Sequence, residues 1–175
     1  MTKLLNNNND NTEASFFEVS LEDLVDTSLF AGGVAKFVKK GDVIALQGDL
    51  GSGKTTFVNF FINFLSSEFV QVTSPTFNLV QIYETETCPV WHFDLYRLKK
   101  VDEIYEAGIE QALVEGISLI EWPEIADKVL PPDRLNLKIN IGKGEKRIVN
   151  ITGYGNWKDN IKQVISGFND TRKPD

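Results

Sequence analysis

Apolar residues recur along this chain at two spacings, and the change from one to the other predicts its elements. Leu21, Leu24, Val25, Leu29, Phe30, Val34, Phe37 and Val38 keep roughly helical spacing, as one buried helix face requires. Ser20-Leu-Glu-Asp23 predicts the start of that helix, with Ser20 as N-cap and Asp23 at N3. The Gly32-Gly33 pair weakens or bends it, and Lys39-Lys40-Gly41 closes it with basic residues and a glycine. Val43 to Gln47 is a short apolar run of strand type, and Thr55 to Leu65 reads as a helix. In that helix Phe57, Phe60, Phe61 and Phe64 fall on one side, which predicts a core face.

Phe77 to Tyr83 and Val90 to Leu95 predict two strands around a polar turn. Helical spacing returns from Asp102 to Val114, interrupted at Gly108. Ile117 to Ile120 is a short strand that ends at Glu121-Trp122-Pro123, and Pro131-Pro132 marks a connection. Arg134 to Ile141 and Lys146 to Ile151 alternate apolar and polar residues around Gly142 to Glu145, so they predict an antiparallel hairpin. An amphipathic helix follows from about Trp157 to Ile165. The Asn-rich segment 1–15 is expected to be disordered, 16–168 to form one domain, and 169–175 to be a polar tail. The order of elements predicts a single α/β domain: a mixed central sheet flanked by helices, with a C-terminal antiparallel hairpin.

Composition narrows the classes. With 42% apolar and 25% charged residues in 175, the chain has the make-up of an ordinary globular domain. Its net charge of −7 argues against a broad grip on nucleic-acid phosphates. The single cysteine, Cys88, allows neither an intrachain disulfide nor a zinc cluster. No apolar stretch reaches membrane-spanning length, and the start of the chain turns polar too soon for a signal peptide. A cytoplasmic location is expected.

Chemistry concentrates at Gly48-Asp-Leu-Gly-Ser-Gly-Lys-Thr55. This run fits the phosphate-binding pattern G-x-x-x-x-G-K-[ST], and it lies between a predicted strand and a predicted helix. Backbone N–H groups and the helix N-terminus make such a turn an anion site. Gly48, Gly51 and Gly53 let the backbone curl around phosphate oxygens. Lys54 would reach the β- and γ-phosphates, and the Thr55 hydroxyl would ligate Mg²⁺. The competing reading is a glycine-rich turn before an ordinary helix.

Three further segments are candidates to complete the site. Glu121 ends a strand, where ligands of open α/β sheets gather, and could hold the metal or be an exposed strand-end carboxylate. Alternation in Trp91-His-Phe-Asp-Leu-Tyr-Arg97 puts His92, Asp94 and Tyr96 on one face. Asp94 could orient an attacking water or bind Mg²⁺ through water. His92 is expected to be a hydrogen-bonded structural residue, and Arg97 to pair with a carboxylate. Val72-Thr-Ser-Pro-Thr-Phe77 is either a γ-phosphate-sensing loop or a plain turn.

Together these segments resemble the TsaE (YjeE) family, the bacterial P-loop ATPases of tRNA threonylcarbamoyladenosine biosynthesis. The resemblance rests on Gly48 to Thr56, Ser74-Pro-Thr-Phe77, His92-Phe-Asp-Leu-Tyr-Arg97, Leu119-Ile-Glu-Trp-Pro-Glu124 and Leu130-Pro-Pro-Asp-Arg134. It runs from about Ser20 to Ile151 and implies a P-loop NTPase fold. It further implies an ATP phosphate site at Gly51, Ser52, Gly53, Lys54, Thr55 and Thr56. Mg²⁺ ligands at Thr55 and Glu121, catalytic roles for Lys54, Asp94 and Glu121, and an aromatic beside the site at Trp122 are implied as well. The implied partners are TsaD and TsaB subunits, with tRNA engaged only indirectly and no membrane.

The rival readings are a P-loop small-molecule kinase, a GTP-dependent switch, and a nucleotide-gated scaffold with little turnover. A kinase usually closes an arginine-bearing lid, and arginine occurs here only at 97, 134, 147 and 172. A guanine reader usually carries N-K-x-D, which Asn156-Trp-Lys-Asp159 does not match.

Overall fold

Strands without an exposed side form most of the parallel part of the sheet. β3 (Val43–Gln47), β5 (Val90–Asp94) and β6 (Ile117–Glu121) are buried at nearly every position, as parallel strands covered on both faces must be. In the computed structural model, which describes residues 3–4 and 14–172, β3 pairs in parallel with β6, and β6 with β5. The other edge of β3 pairs in parallel with β7 (Leu135–Ile141). β7 turns back into β8 (Arg147–Tyr154), the expected antiparallel hairpin. β8 then carries β2 (Ala14–Leu21), and β2 carries the two-residue β1 (Lys3–Leu4). At the far edge β4 (Val80–Tyr83) is antiparallel to β5. The eight-stranded order is β1-β2-β8-β7-β3-β6-β5-β4, a mixed sheet of the predicted class.

Helices cover both faces of its centre. α1 (Leu24–Ala35), α2 (Lys54–Leu65) and α5 (Trp157–Thr171) pack on one side, around Phe30, Phe57, Phe61, Trp157 and Phe168. Phe30 lies edge-on to Phe168 at 5.9 Å between ring centres, a favoured aromatic geometry. On the other side α3 (Asp102–Glu106), α4 (Ile109–Glu115) and a 3-10 turn (Pro123–Ala126) bury Ile104, Ile109 and Ala126 against Trp91, Phe93 and Ile120. Gly108 separates α3 from α4 in a left-handed conformation, φ 87°, where a side chain would be strained.

Several boundaries differ from the sequence expectation. Ser20 and Leu21 end β2 and do not begin a helix. The N-cap of α1 is Asp23, whose carboxylate accepts from the Asp26 N–H at 2.9 Å. The apolar spacing misleads here because Phe17, Val19 and Leu21 are buried at a period of two, in register with β8. α1 ends at Ala35, short of Lys39 to Gly41. Gly32 and Gly33 serve close packing: a Cβ on Gly32 would lie 2.8 Å from the Phe64 ring, and one on Gly33 3.2 Å from Val164. The phenylalanine stripe of α2 is correspondingly uneven, with Phe57 and Phe61 buried and Phe64 47% exposed over α1.

β4 starts at Val80, because Pro75 to Asn78 closes a turn and leaves Phe77 84% exposed. Of the segment expected to be disordered, Lys3–Leu4 and Ala14–Ser15 are strand, and the remainder lies outside the described residues. α5 continues to Thr171, so it runs into the expected polar tail, whose last three residues lie outside the described ones. No described helix is long and apolar enough to cross a membrane.

Candidate active site

The loop between β3 and α2 gives the site its shape. Gly51 and Gly53 take φ of 76° and 105°, values that glycine adopts without steric cost. Gly48 is confined differently, since a Cβ there would lie 2.3 Å from the Ile139 carbonyl oxygen. α2 begins at Lys54, so the free N–H groups of its first turn face the concave side of the loop. The Lys54 ammonium bends back over this loop, donating to the carbonyls of Gly48 at 2.7 Å and Asp49 at 3.0 Å. It also lies 4.0 Å from the centre of the Trp122 ring. Lys54 is buried and makes no ion pair within 4.0 Å among the described residues. Burial pulls its pKa below 10.5, against the opposing pull of Glu121 and Asp94. A desolvated cation held by carbonyls and an aromatic face, with no carboxylate among the described residues paired to it, is suited to meet an anion.

The carboxylates arrive through strand register. Asp94 and Glu121 are direct partners at the C-terminal ends of β5 and β6, so both point to the face that carries α2. Glu121 Oε1 accepts from the Thr55 hydroxyl at 2.8 Å and from His92 Nε2 at 2.9 Å. Asp94 Oδ2 accepts from the hydroxyls of Ser74 at 2.5 Å and Thr76 at 2.8 Å, while Oδ1 accepts from the Tyr96 N–H at 3.1 Å. Lys54, Thr55, Asp94 and Glu121 thereby line one cleft of about 540 Å³, walled by Ser74 and Thr76 and rimmed by Tyr96, Arg97 and Trp122. Trp122 sits at φ 57°, ψ 56°, an uncommon conformation for a bulky residue and a cost met where its ring covers Lys54.

The predicted site residues therefore lie together. Gly51, Gly53, Lys54, Thr55 and Thr56 border the cleft, and Ser52 is buried beneath the loop. Two details depart from expectation, and a third agrees with it. Tyr96 lies beyond the end of β5, 55% exposed, with its ring 5.0 Å from that of Trp122. Arg97 stacks over Phe77 at 4.6 Å and forms no ion pair among the described residues. His92 is hydrogen-bonded and fully buried, as expected, and its partner is Glu121.

Arg147 is a residue that the sequence does not single out. Its Nε donates to the Ser52 carbonyl at 2.8 Å and ties the hairpin to the phosphate loop. Nothing in its local sequence marks it, because the contact spans 95 positions. Between this arginine, Leu21, Leu24 and Thr56 lies a second, mostly apolar cavity of about 220 Å³.

A divalent cation suits the donor set only in company with phosphate. Among the described residues no group of three or more His, Cys, Asp or Glu side chains is arranged to hold a metal. One hydroxyl and one carboxylate, Thr55 and Glu121, match Mg²⁺, which takes few protein ligands and completes its shell with substrate phosphates and water.

Comparison with known proteins agrees with this geometry. Residues 21–149 match the family model for threonylcarbamoyl adenosine biosynthesis protein TsaE. The chain belongs to the TsaE family. It is 42% identical over 127 residues to the tRNA threonylcarbamoyladenosine biosynthesis protein TsaE of Rickettsia bellii, covering 73% of this chain and 88% of that one. It is 36% identical over 142 residues to the Bacillus subtilis protein of the same name, covering 81% and 88%. The crystal structure of Bacillus subtilis YdiB superposes with a TM-score of 0.68 at 26% identity, covering 93% of this chain and all of that one. The family match contains every candidate site residue, from Gly48 to Glu121.

Proposed function

We propose that this chain is a Mg²⁺-dependent ATPase that serves threonylcarbamoyladenosine modification of tRNA, acting in the cytoplasm with TsaD- and TsaB-like subunits. The observation that carries the reading is the buried Lys54 ammonium, whose hydrogen bonds among the described residues go to carbonyls and which lies over a phosphate-binding loop beside Asp94 and Glu121. The family supplies the pathway.

Each residue has a task in this reading. Lys54 exchanges two carbonyls for β- and γ-phosphate oxygens and stabilises charge that develops on them. The N–H groups from Gly51 to Thr56 bind the phosphates. Thr55 and Glu121 hold Mg²⁺, which when bound neutralises phosphate charge. Asp94 orients the attacking water: three donors already aim its carboxylate, and a carboxylate has about four lone-pair positions, so one remains for a water proton. The apolar cavity beside Arg147 suits a nucleotide base. The net charge of −7 favours a role through partner subunits, with no direct grip on tRNA.

A second reading is a nucleotide-gated switch with little turnover. It draws on the link from Ser74 and Thr76 to Asp94, through which a change at the phosphates would be felt in the loop that bears the exposed Phe77. ATPase assays with and without candidate partners separate the two. Turnover that appears or rises with partners supports the first, and nucleotide-dependent partner affinity without turnover supports the second. Depletion in the host tests the pathway. Loss of threonylcarbamoyladenosine from tRNA, restored by the wild type but not by Lys54→Ala, is expected. Normal modification without the protein would reject the assignment.

A further inference from the structure

His92 is fully buried beside Glu121, behind the cleft, and has no part in the mechanism above. Its ring lies on β5, two residues before Asp94 and on the same face. Its surroundings on β6 are Leu119, directly opposite in register, and Glu121 beyond it. A histidine placed there only to fill space would bury a polar ring that leucine or phenylalanine could replace without that cost. The one hydrogen bond of this ring among the described residues runs from Nε2 to Glu121 Oε1, at 2.9 Å. A carboxylate oxygen accepts, so Nε2 carries the proton, and Nδ1 is left without a partner among the described residues.

The bond has a consequence for Glu121. Oε1 receives two donors, the Thr55 hydroxyl from α2 and the His92 ring from β5. These come from different elements, so together they define the rotation of the carboxylate. Oε2 has no donor among the described residues and is the oxygen with open lone pairs.

We propose that His92 is the positioning residue for the Glu121 carboxylate, and that through it His92 sets the affinity of the site for the divalent cation that accompanies nucleotide. The proposal rests on the reading of Thr55 and Glu121 as the metal-holding pair. Removing a partner that orients a metal-holding side chain typically lowers metal affinity by about 10–100-fold.

The test measures cation binding directly. Mn²⁺ affinity of the ADP-loaded protein is read by electron paramagnetic resonance, and ADP affinity is read by calorimetry in chelator. His92→Leu fills the space without a donor. It should weaken Mn²⁺ binding about tenfold while metal-free ADP affinity stays at the wild-type value. Glutamine places its amide nitrogen near the Nε2 position and asparagine does not, so His92→Gln should recover most of the affinity and His92→Asn should not. A folded His92→Leu protein with wild-type Mn²⁺ affinity would overturn the proposal. If His92→Leu fails to fold, equal Mn²⁺ affinity in the Gln and Asn variants would overturn it instead. Glu121→Gln separates this proposal from the reading beneath it. Weakened Mn²⁺ binding in Glu121→Gln with no effect of His92→Leu rejects the role of His92 alone. Wild-type Mn²⁺ binding in Glu121→Gln rejects the metal-holding pair and the proposal with it.

Discussion

In β3, β5 and β6 nearly every residue is buried, whereas β2, β7 and β8 alternate buried positions with half-exposed ones. The difference follows from coverage. The central strands lie between helices on both faces, and the antiparallel wing is packed on one face only. It also separates the kinds of residue that are buried. The strands of the wing bury aliphatic and aromatic side chains such as Phe17, Val19, Leu137, Val149 and Ile151. The centre and its loop bury Ser52, Lys54, His92, Asp94, Ser118 and Glu121 as well. A polar group buried in the centre needs partners: His92 and Glu121 find each other, Lys54 finds two loop carbonyls, and Asp94 finds the hydroxyls of Ser74 and Thr76, all at the C-terminal edge of the strands. The wing is thus expected to govern stability, and the central edge chemistry.

The largest expected effect comes from removing the cation at the centre. Lys54→Ala should lower ATP hydrolysis by about a thousandfold, the upper range for one preorganised charge-stabilising donor, as turnover assays would measure. Its melting temperature should not fall, because the ammonium removed is buried without an ion pair among the described residues. A large loss of stability in this variant would break the division between centre and wing.

Trp157 is the matching probe of the wing. It is 2% exposed and begins α5. Its backbone lies so close to β8 that a Cβ on Gly153 would meet the Trp157 carbonyl oxygen at 2.5 Å. Trp157→Ala should cost about 3–5 kcal/mol in denaturant unfolding. The fraction that remains folded should bind nucleotide like the wild type.

Asp94→Asn sharpens the comparison within the centre. It should lower turnover by about a hundredfold, in the range for a positioned acid–base group, and change nucleotide affinity little, as kcat and calorimetry would report. Loss of affinity in step with turnover would assign Asp94 to binding.

The smallest effect is a pH dependence. Burial holds the Lys54 pKa below 10.5 in the free protein, and phosphate favours the protonated form. Nucleotide affinity should therefore fall as pH rises through that lowered value, while the variant Lys54→Arg, always charged, stays level. Over the window between the lowered value and 10.5 the unfolded chain holds more protons at this residue. Stability of the free protein should accordingly rise with pH there. Calorimetric affinities and melting curves across the alkaline range measure both signs.

The parts of this molecule legible in its sequence are those that short-range geometry decides. The phosphate loop is legible because its glycines, lysine and threonine are adjacent, and the positive φ of Gly51 and Gly53 is a local demand. The hairpin of β7 and β8 and the break at Gly108 are legible for the same reason. The end of β2 reads instead as the approach to a helix, because Leu21 serves a strand face while lying near the apolar stripe of α1. Phe64 reads as core, yet only the packing of α1 against α2 decides which side of the helix is covered.

The candidate site divides along the same line. Asp94 and Glu121 can each be picked out as acids at strand ends, but no spacing in sequence states that they are partners in register. The contacts of His92 with Glu121, of Ser74 and Thr76 with Asp94, and of Arg147 with Ser52 join positions 29, 20, 18 and 95 apart. Local propensity and periodicity act over a few residues, so they determined the elements, the phosphate loop and the residue types available for chemistry. Which of those side chains meet, and which oxygen each one holds, depends on strand order and register, and these are decided only when the whole sheet closes around its two cores.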